Sequence, residues 1–299
     1  MGLRIKKIIM LLLVIGVLGG LTEYFGPTMD VDEKDILNAK PSMEAASLAP
    51  VISAEGAILV MGEDAKVVYE KDADKKLYPA STTKIMTTLV TLEIMEEISA
   101  SMDSLITVPK EAIGIEGSSV YLKEGEVVTV EELLYGAMLQ SGNDAATALA
   151  ISFGGTEEKF IERMNQKAKE IGCTCTKFVN PTGLFDENHF TTARDLALIS
   201  TQAMRNDIFR EIVASEEWTS EKNGKTFVNK NKTIKEYDGA TGVKIGYTKK
   251  SGRTLVSSAK KNDIELIAVL LNDPNWFQDA YSMLDYGFRT MTGEVKGES

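Results

Sequence analysis

After residue 50, the chain has two short apolar runs and then a longer segment in which apolar residues recur at helical spacing. Residues 57–60 and 66–69 are rich in β-prone side chains, and the glycine and acidic residues between them are typical of a hairpin turn. In residues 82–95 the apolar positions follow mainly the period of a helix, which would begin close to Ser81. The pattern therefore predicts a strand pair followed by a helix.

The middle of the chain has the period of helices, and its last third has that of strands. Apolar stripes predict helices over residues 130–152, 157–171 and 192–204. Beyond Trp218, β-prone runs predict strands over residues 242–248, 254–259 and 264–271, and a last helix is predicted over about 275–290. Strands at both ends with helices between them predict an α+β fold, with one antiparallel sheet built from both chain ends, flanked by helices and carrying a helical insert.

The first fifty residues have a different pattern. Three cations precede an apolar run of 14 residues at positions 8–21, an order that is typical of a secretory signal. The run is short for a membrane span, but no convincing small-x-small cleavage site follows it. We therefore expect residues 1–22 to be a signal peptide or an N-terminal membrane anchor and the polar residues 23–49 to be a linker. The protein is expected to be extracytoplasmic, either secreted or anchored to the outer face of the membrane.

Composition argues against several classes of function. The net charge of −11 argues against a nucleic-acid partner, because phosphate binding needs clustered lysine and arginine. The two cysteines, Cys173 and Cys175, lack the spacing of a zinc site and are expected to be small strand residues. The single histidine, His189, cannot form a two-histidine zinc motif and is expected to be part of a polar loop. We expect no metal and no cofactor.

The segment Ser81-Thr82-Thr83-Lys84 places a lysine three residues after a serine. Residues three apart on a helix share a face, so the Lys84 amine can reach the Ser81 hydroxyl. A serine nucleophile needs such a base, and a helix N-terminus favours the developing alkoxide. The motif alone is also compatible with a capping serine beside a solvated lysine.

Two further motifs offer groups that match a serine nucleophile. In Ser141-Gly142-Asn143, the hydroxyl could pass a proton to a leaving amine, and the Asn143 amide could bind a peptide group. In Lys244-Ile245-Gly246, on a predicted strand, the lysine could bind a terminal carboxylate. The glycine would let an extended peptide lie against the strand edge. Each motif alone is also typical of a turn or of an exposed strand lysine.

In order and spacing, the three motifs resemble the set shared by penicillin-binding proteins and class A β-lactamases. Further blocks resemble the low-molecular-weight penicillin-binding proteins, the serine D-Ala-D-Ala carboxypeptidases of peptidase family S11. These blocks are YPASTTK at 78–84, LQSGNDAA at 139–146, FVNPTGL at 178–184, TARDL at 192–196 and LDYGF at 284–288. The resemblance implies a β-lactamase/transpeptidase-like fold, with a catalytic domain over residues 50–292 and a tail at 293–299.

The resemblance also implies a mechanism. Ser81 would attack the carbonyl between the last two D-alanines of a peptidoglycan stem peptide, with neutral Lys84 as its base and Ser141 as a proton relay. Substrate binding would involve five other residues: Asn143, Lys230, Lys244, Gly246 and Tyr247. Among these, Lys230 would be an accessory cation near the substrate carboxylate. The backbone N–H groups of Ser81 and Tyr247 would form the oxyanion hole, and β-lactam antibiotics would acylate Ser81 as well.

The sequence departs from the family pattern at Ile245, where a threonine usually donates a hydrogen bond to the substrate carboxylate. We therefore expect weak activity. A non-catalytic receptor for muropeptides or β-lactams stays open for this reason. A class A-like β-lactamase would need a glutamate in an E-x-x-x-N segment, and none lies between Asn143 and Lys244. Many relatives continue into a β-rich domain and a membrane helix, whereas this sequence ends soon after Phe288, so membrane contact is expected only through the N-terminal segment.

Overall fold

The computed structural model describes residues 49–293. The predicted signal or anchor at 1–22, nearly all of the predicted linker at 23–49 and most of the predicted tail at 293–299 lie outside these residues. Within them, nine strands are present: β1 (Gly56–Met61), β2 (Val67–Lys71), β3 (Leu105–Thr107), β4 (Val127–Thr129), β5 (Glu217–Thr219), β6 (Thr226–Val228), β7 (Ala240–Thr248), β8 (Gly252–Lys261) and β9 (Ile264–Leu271).

Five of these strands form one antiparallel sheet in the order β2-β1-β9-β8-β7. The first two strands come from the beginning of the described chain and the other three from its end, so both ends build the sheet. The remaining strands form two small hairpins, β3 with β4 and β5 with β6. Because β7 lies at the edge of the five-stranded sheet, its outer side has no strand partner among residues 49–293.

Eight α-helices are present among the same residues: α1 (Lys84–Glu97), α2 (Val130–Leu139), α3 (Asn143–Gly154), α4 (Glu157–Ile171), α5 (Ala193–Ala203), α6 (Asp207–Ala214), α7 (Thr233–Glu236) and α8 (Trp276–Met291). Four of them begin at an N-cap side chain that accepts a hydrogen bond from the backbone N–H three residues later: Thr129, Thr156, Thr192 and Asn206. Each such cap stabilises its helix by about 0.5–2 kcal/mol.

The sheet separates two apolar clusters, and the alternation of side chains along β9 shows how. Ile267 and Val269 belong to the larger cluster, which also contains the buried side chains of α1 to α6. Leu266 and Leu270 belong to the smaller cluster, which α8 covers. Each fully buried side chain of this size contributes about 1.5–3 kcal/mol, so both faces of the sheet are held by packing. Helices α1 to α6 thus form a layer on one face.

The structure confirms the predicted α+β fold, the opening hairpin, the three late strands and the last helix. The single helix predicted over residues 130–152 is wrong, because Ser141 has a φ of 62° between α2 and α3. A residue in the left-handed region cannot continue a right-handed helix. The prediction that Cys173 and Cys175 are strand residues is also wrong, since both lie in the loop after α4. Among the described residues, none of the helices combines the length and the apolar character needed to span a membrane.

Candidate active site

Ser81 lies on a short 3₁₀ turn, Ala80–Thr83, that leads directly into α1. The turn is tied down on its N-terminal side, where the Pro79 carbonyl accepts hydrogen bonds from the hydroxyls of Thr82 at 2.6 Å and Thr254 at 2.9 Å. Side chains three residues apart eclipse each other in a 3₁₀ turn. The spacing of Ser81 and Lys84 therefore brings their side chains together, and the Lys84 Nζ lies 3.1 Å from the Ser81 Oγ.

The Lys84 amine is fully buried and has two other oxygen neighbours. Its Nζ lies 2.7 Å from Asn143 Oδ1 and 2.8 Å from the Thr182 carbonyl oxygen. The amide orientation of Asn143 follows from its other contact, because Nδ2 donates to the Glu116 carbonyl, which can only accept. A neutral amine has two N–H groups and one lone pair. With both N–H groups directed at carbonyl oxygens, the lone pair is left to face the Ser81 hydroxyl.

The environment of Lys84 favours this neutral form. Burial lowers the pKa of Lys84 well below its ordinary value, and the nearby charge of Lys244 lowers it further. The carboxylate of Asp144 acts in the opposite direction, and Lys230 adds a smaller lowering contribution. Desolvation disfavours an ammonium, and a neighbouring cation disfavours a second positive charge, so both favour the neutral amine that a general base requires.

The second motif lies at the junction of α2 and α3. Asn143 is the first residue of α3, and Ser141 is 5% exposed in the break before it. The structure brings Asn143 into contact with Lys84, whereas the hydrogen bonds of the Lys84 amine go to Ser81, Asn143 and Thr182 and not to Ser141. Lys230 joins this region, because its Nζ donates to the carbonyl of Gln140 at 2.7 Å.

The third motif lies on the edge strand β7, which packs against the 3₁₀ turn Ala80–Thr83. We call this turn, which carries Ser81, the nucleophile turn. A Cβ on Gly246 would lie 2.7 Å from the backbone nitrogen of Ser81 and 2.5 Å from the Thr254 hydroxyl, so any other residue would force the strand and the turn apart. Lys244 is fully buried, and burial followed by the charge of Lys230 lowers its pKa to about 7. The ring of Tyr247 is 63% exposed at the end of the strand. The side chain of Ile245 packs against the smaller core cluster under α8.

Comparison with known proteins decides the family. The sequence profile of Peptidase S11, described as D-alanyl-D-alanine carboxypeptidase, matches residues 43–275. The chain belongs to the D-alanyl-D-alanine carboxypeptidase family. Two curated members are DacF of Bacillus subtilis (strain 168), 39% identical over 220 residues, and DacC of Escherichia coli (strain K12), 37% identical over 251 residues. These alignments include 73% and 81% of this chain but only 57% and 62% of the two relatives.

A solved structure shows the same fold. The Streptomyces K15 DD-transpeptidase superposes with a TM-score of 0.75 at 32% identity, over 81% of this chain and 99% of that chain. The D-alanyl-D-alanine carboxypeptidase of Streptomyces sp. (strain K15) is 32% identical over 273 residues, with 84% of this chain and 92% of the relative aligned. The expected transpeptidase-like architecture is therefore confirmed at both the sequence and the structural level.

Two residues of this family member that contribute to the site were missed by the motif analysis. The Thr182 carbonyl contacts Lys84, although the block at 178–184 was noticed only as a resemblance. Asp144 is buried and accepts hydrogen bonds from the N–H groups of Val120 and Leu122, which fixes the loop between β3 and β4. Its position directly after the second motif was the available signal. Within residues 49–293, no group of three or more histidine, cysteine, aspartate or glutamate side chains is arranged to hold a metal ion.

Proposed function

We propose that this protein is a serine-type D-Ala-D-Ala carboxypeptidase that removes the terminal D-alanine from peptidoglycan stem peptides. The observation that carries the proposal is the arrangement of the Lys84 amine, which is buried, 3.1 Å from the Ser81 Oγ and hydrogen-bonded to two carbonyl oxygens. Such an amine is a base next to a nucleophile, with its lone pair already directed. Membership of the carboxypeptidase family supports the same assignment.

In the proposed reaction, the Lys84 lone pair takes the proton of the Ser81 hydroxyl while Oγ attacks the carbonyl carbon of the scissile peptide bond. The C–N bond then breaks, and the leaving amine of D-alanine takes up a proton that Ser141 relays from Lys84. Water attacks the resulting ester and restores the Ser81 hydroxyl. The backbone N–H groups of Ser81 and Tyr247 would hold the oxyanion, and each such donor is typically worth about 2.7–4 kcal/mol.

For substrate binding we propose that the peptide lies along the free edge of β7, beside Gly246. Lys244 and Lys230 would attract its terminal carboxylate, and Asn143 would orient its backbone. The proposal is supported by the edge position of β7 and by the two adjacent cations, of which Lys244 has a pKa of about 7. Ile245 supplies no hydrogen-bond donor for the carboxylate, so activity is expected to be weak. β-Lactams would acylate Ser81 through the same contacts.

We further propose an extracytoplasmic location, in keeping with a peptidoglycan substrate. Residues 50–292 would be the catalytic domain, residues 1–22 a signal peptide or membrane anchor, residues 23–49 a linker and residues 293–299 a tail. The N-terminal segment would be the contact with the membrane. This organisation is supported by the charge and hydropathy pattern at the N-terminus, and cell fractionation of the full-length protein would test it.

The test of the enzymatic proposal compares wild type with Ser81→Ala, using Ser282→Ala, an exposed serine on α8, as the matched control. We expect wild type and Ser282→Ala to release D-alanine from a diacyl-D-Ala-D-Ala peptide and to be labelled by a fluorescent penicillin. Ser81→Ala should do neither. Labelling without any release of D-alanine would indicate a receptor, and rapid hydrolysis of nitrocefin would indicate a β-lactamase.

A further inference from the structure

The side chain of Asn180 makes four hydrogen bonds within the loop that presents the Thr182 carbonyl to Lys84. Its Oδ1 accepts hydrogen bonds from the N–H of Thr182 at 3.1 Å, the hydroxyl of Thr182 at 3.0 Å and the N–H of Gly183 at 2.8 Å. Its Nδ2 donates to the Leu184 carbonyl at 3.0 Å. The loop is therefore a rigid unit whose position depends on how it is attached to its surroundings.

Two attachments join this loop to the nucleophile turn and α1. The Thr87 hydroxyl donates to the Pro181 carbonyl at 2.6 Å. Gly183, with a φ of 83°, lies so close to Ala80 that any Cβ would overlap the Ala80 carbonyl. These contacts hold the middle of the loop, and at its beginning the Asn165 side chain holds the backbone of Phe178.

His189 lies later in the same segment between α4 and α5, and its ring makes a further attachment. Its Nδ1 accepts a hydrogen bond from the Val179 N–H at 3.3 Å, and its Nε2 lies 2.8 Å from the Thr83 hydroxyl. Since Nδ1 is an acceptor, the ring hydrogen is on Nε2, which donates to Thr83 Oγ1. The ring is only 2% exposed and packs edge-on against Phe178, with the ring centroids 5.6 Å apart.

We propose that His189 is a positioning residue for Lys84: as a neutral ring it ties the Thr182 loop to Thr83, the residue before the base, and so keeps the Thr182 carbonyl at the amine. The inference rests on the proposed function, in which Lys84 is the base. His189 was expected to be part of a polar loop, and it does lie in a loop, but its ring is buried against the turn that carries the nucleophile.

Loss of this attachment should change the pKa of Lys84 in a defined direction. A displaced Thr182 carbonyl would be replaced by water, which also accepts a hydrogen bond, so the amine keeps an acceptor but loses its dry surroundings. Burial is the largest cause of the lowered pKa of Lys84. Partial loss of this burial should therefore raise the pKa of Lys84. The acid limb of the pH–rate profile, where acylation slows because Lys84 is protonated, should then move to higher pH.

The other charged groups in the region do not account for such a shift. Lys244, Asp144 and Lys230 act on Lys84, and none of them is hydrogen-bonded to His189. Asp186 and Lys84 are the charged groups that act on His189, whose pKa is lowered to about 4, chiefly by burial. His189 itself therefore stays neutral at neutral pH and above, so a shift of the acid limb does not come from protonation of its own ring.

The test uses substitutions that separate the two ring contacts in the full-length protein. The amide of His189→Gln can replace Nε2 and still reach Thr83, whereas the shorter side chain of His189→Asn can replace only Nδ1. Thr83→Val removes the hydroxyl that accepts the hydrogen bond from His189 Nε2, and Thr83→Ser keeps that hydroxyl. The readouts are the pH dependence of acylation by a fluorescent penicillin, the titration of the Lys84 side chain by NMR in the free protein, and thermal unfolding.

We expect His189→Asn and Thr83→Val to acylate about tenfold more slowly at neutral pH, in line with a small displacement near the base. Their Lys84 titration and acid limb should move to higher pH, and so should those of His189→Gln, which keeps the Thr83 contact but loses the Val179 contact, while Thr83→Ser stays close to wild type. If the Asn and Val variants lose thermal stability but keep the wild-type Lys84 titration, His189 is merely structural and the inference is overturned. Absence of Ser81 labelling in wild type would instead overturn the proposed function, and the NMR titration still decides the inference.

Discussion

A methyl group added to Gly246 should separate β7 from the nucleophile. The added Cβ of Gly246→Ala would lie 2.5 Å from the Thr254 hydroxyl, 2.7 Å from the Ser81 nitrogen and 3.0 Å from the Ala80 Cβ. Optimal contacts between such atoms are about 3.5–4.0 Å. The Ser81 nitrogen is a backbone atom, and the Thr254 hydroxyl is held by its hydrogen bond to the Pro79 carbonyl. Because neither atom can easily move aside, β7 must move away from the nucleophile turn by about 1 Å to restore normal contact distances.

This displacement should affect catalysis more than stability. Forcing an extra methyl group into a packed site costs about 1–3 kcal/mol, which lowers the melting temperature of a domain of this size by roughly 2–12 °C. The backbone N–H of Tyr247, proposed as an oxyanion donor, moves with the strand. A misplacement of about 1 Å at a reacting centre can reduce the rate about a hundredfold. We therefore expect folded protein with about a hundredfold slower acylation.

The assay is the second-order rate constant for labelling by a fluorescent penicillin, measured together with thermal unfolding. Gly62→Ala, in the turn between β1 and β2, is the matched control, because the three atoms nearest to its Cβ all belong to the side chain of Glu265, which has no part in the site. That control should label at the wild-type rate. If Gly246→Ala labels within about threefold of wild type, β7 does not constrain the nucleophile as described, and the proposed roles of Gly246 and Tyr247 lose their support.

Three further predictions concern neighbouring residues. Ile245→Thr should raise the acylation rate about ten- to a hundredfold, because a hydroxyl donor to a carboxylate is worth about 1.5–3 kcal/mol; an unchanged rate would contradict the assigned defect. Lys244 carries its proton below its pKa of about 7 and loses it above, so kcat/KM should fall as the pH rises through 7. Lys244→Arg stays charged, so its kcat/KM should not fall in this pH range. A fall that persists in this variant would come from the titration of another group. Asp144→Asn should lower the free energy of unfolding by about 2–3 kcal/mol, because an NH₂ group would face backbone N–H donors. It should also move the acid limb to lower pH, since Asp144 raises the pKa of Lys84; denaturant unfolding and the pH profile check the two effects.

Much of the fold could be predicted because the buried faces of helices and strands leave a periodic pattern of apolar residues in the sequence. Residues 157–171 were predicted as a helix, and α4 spans the same residues, with an N-cap threonine before them and Gly172 at a φ of 96° after them. The junction between α2 and α3 could not be predicted, since apolar residues continue on both sides and the break depends on the backbone of Ser141. Strands of three residues, such as β3 and β5, have too few positions to show alternation.

The candidate site was predictable where a side-chain type identifies it, and not where the backbone supplies the group. The spacing of Ser81 and Lys84 predicted their contact, which the structure places at 3.1 Å. The Thr182 carbonyl has no such signal, because every residue has a carbonyl and only the tertiary fold brings this one to the amine. The sequence likewise carries no signal for the burial of Lys244, because a lysine on a predicted strand could equally be exposed to solvent.

The two buried lysines differ in a way that supports their separate proposed roles. The Lys84 amine has three oxygen neighbours from three separate segments, and its pKa is lowered by burial and by the charge of Lys244. The Lys244 amine donates to the Ile245 carbonyl and keeps its proton up to a pKa of about 7. Because a cation beside Lys84 favours its neutral form, the charge that would attract the substrate carboxylate also maintains the base. Approach of a carboxylate would raise the pKa of Lys244, so substrate binding itself would favour the pairing of one charged and one neutral lysine.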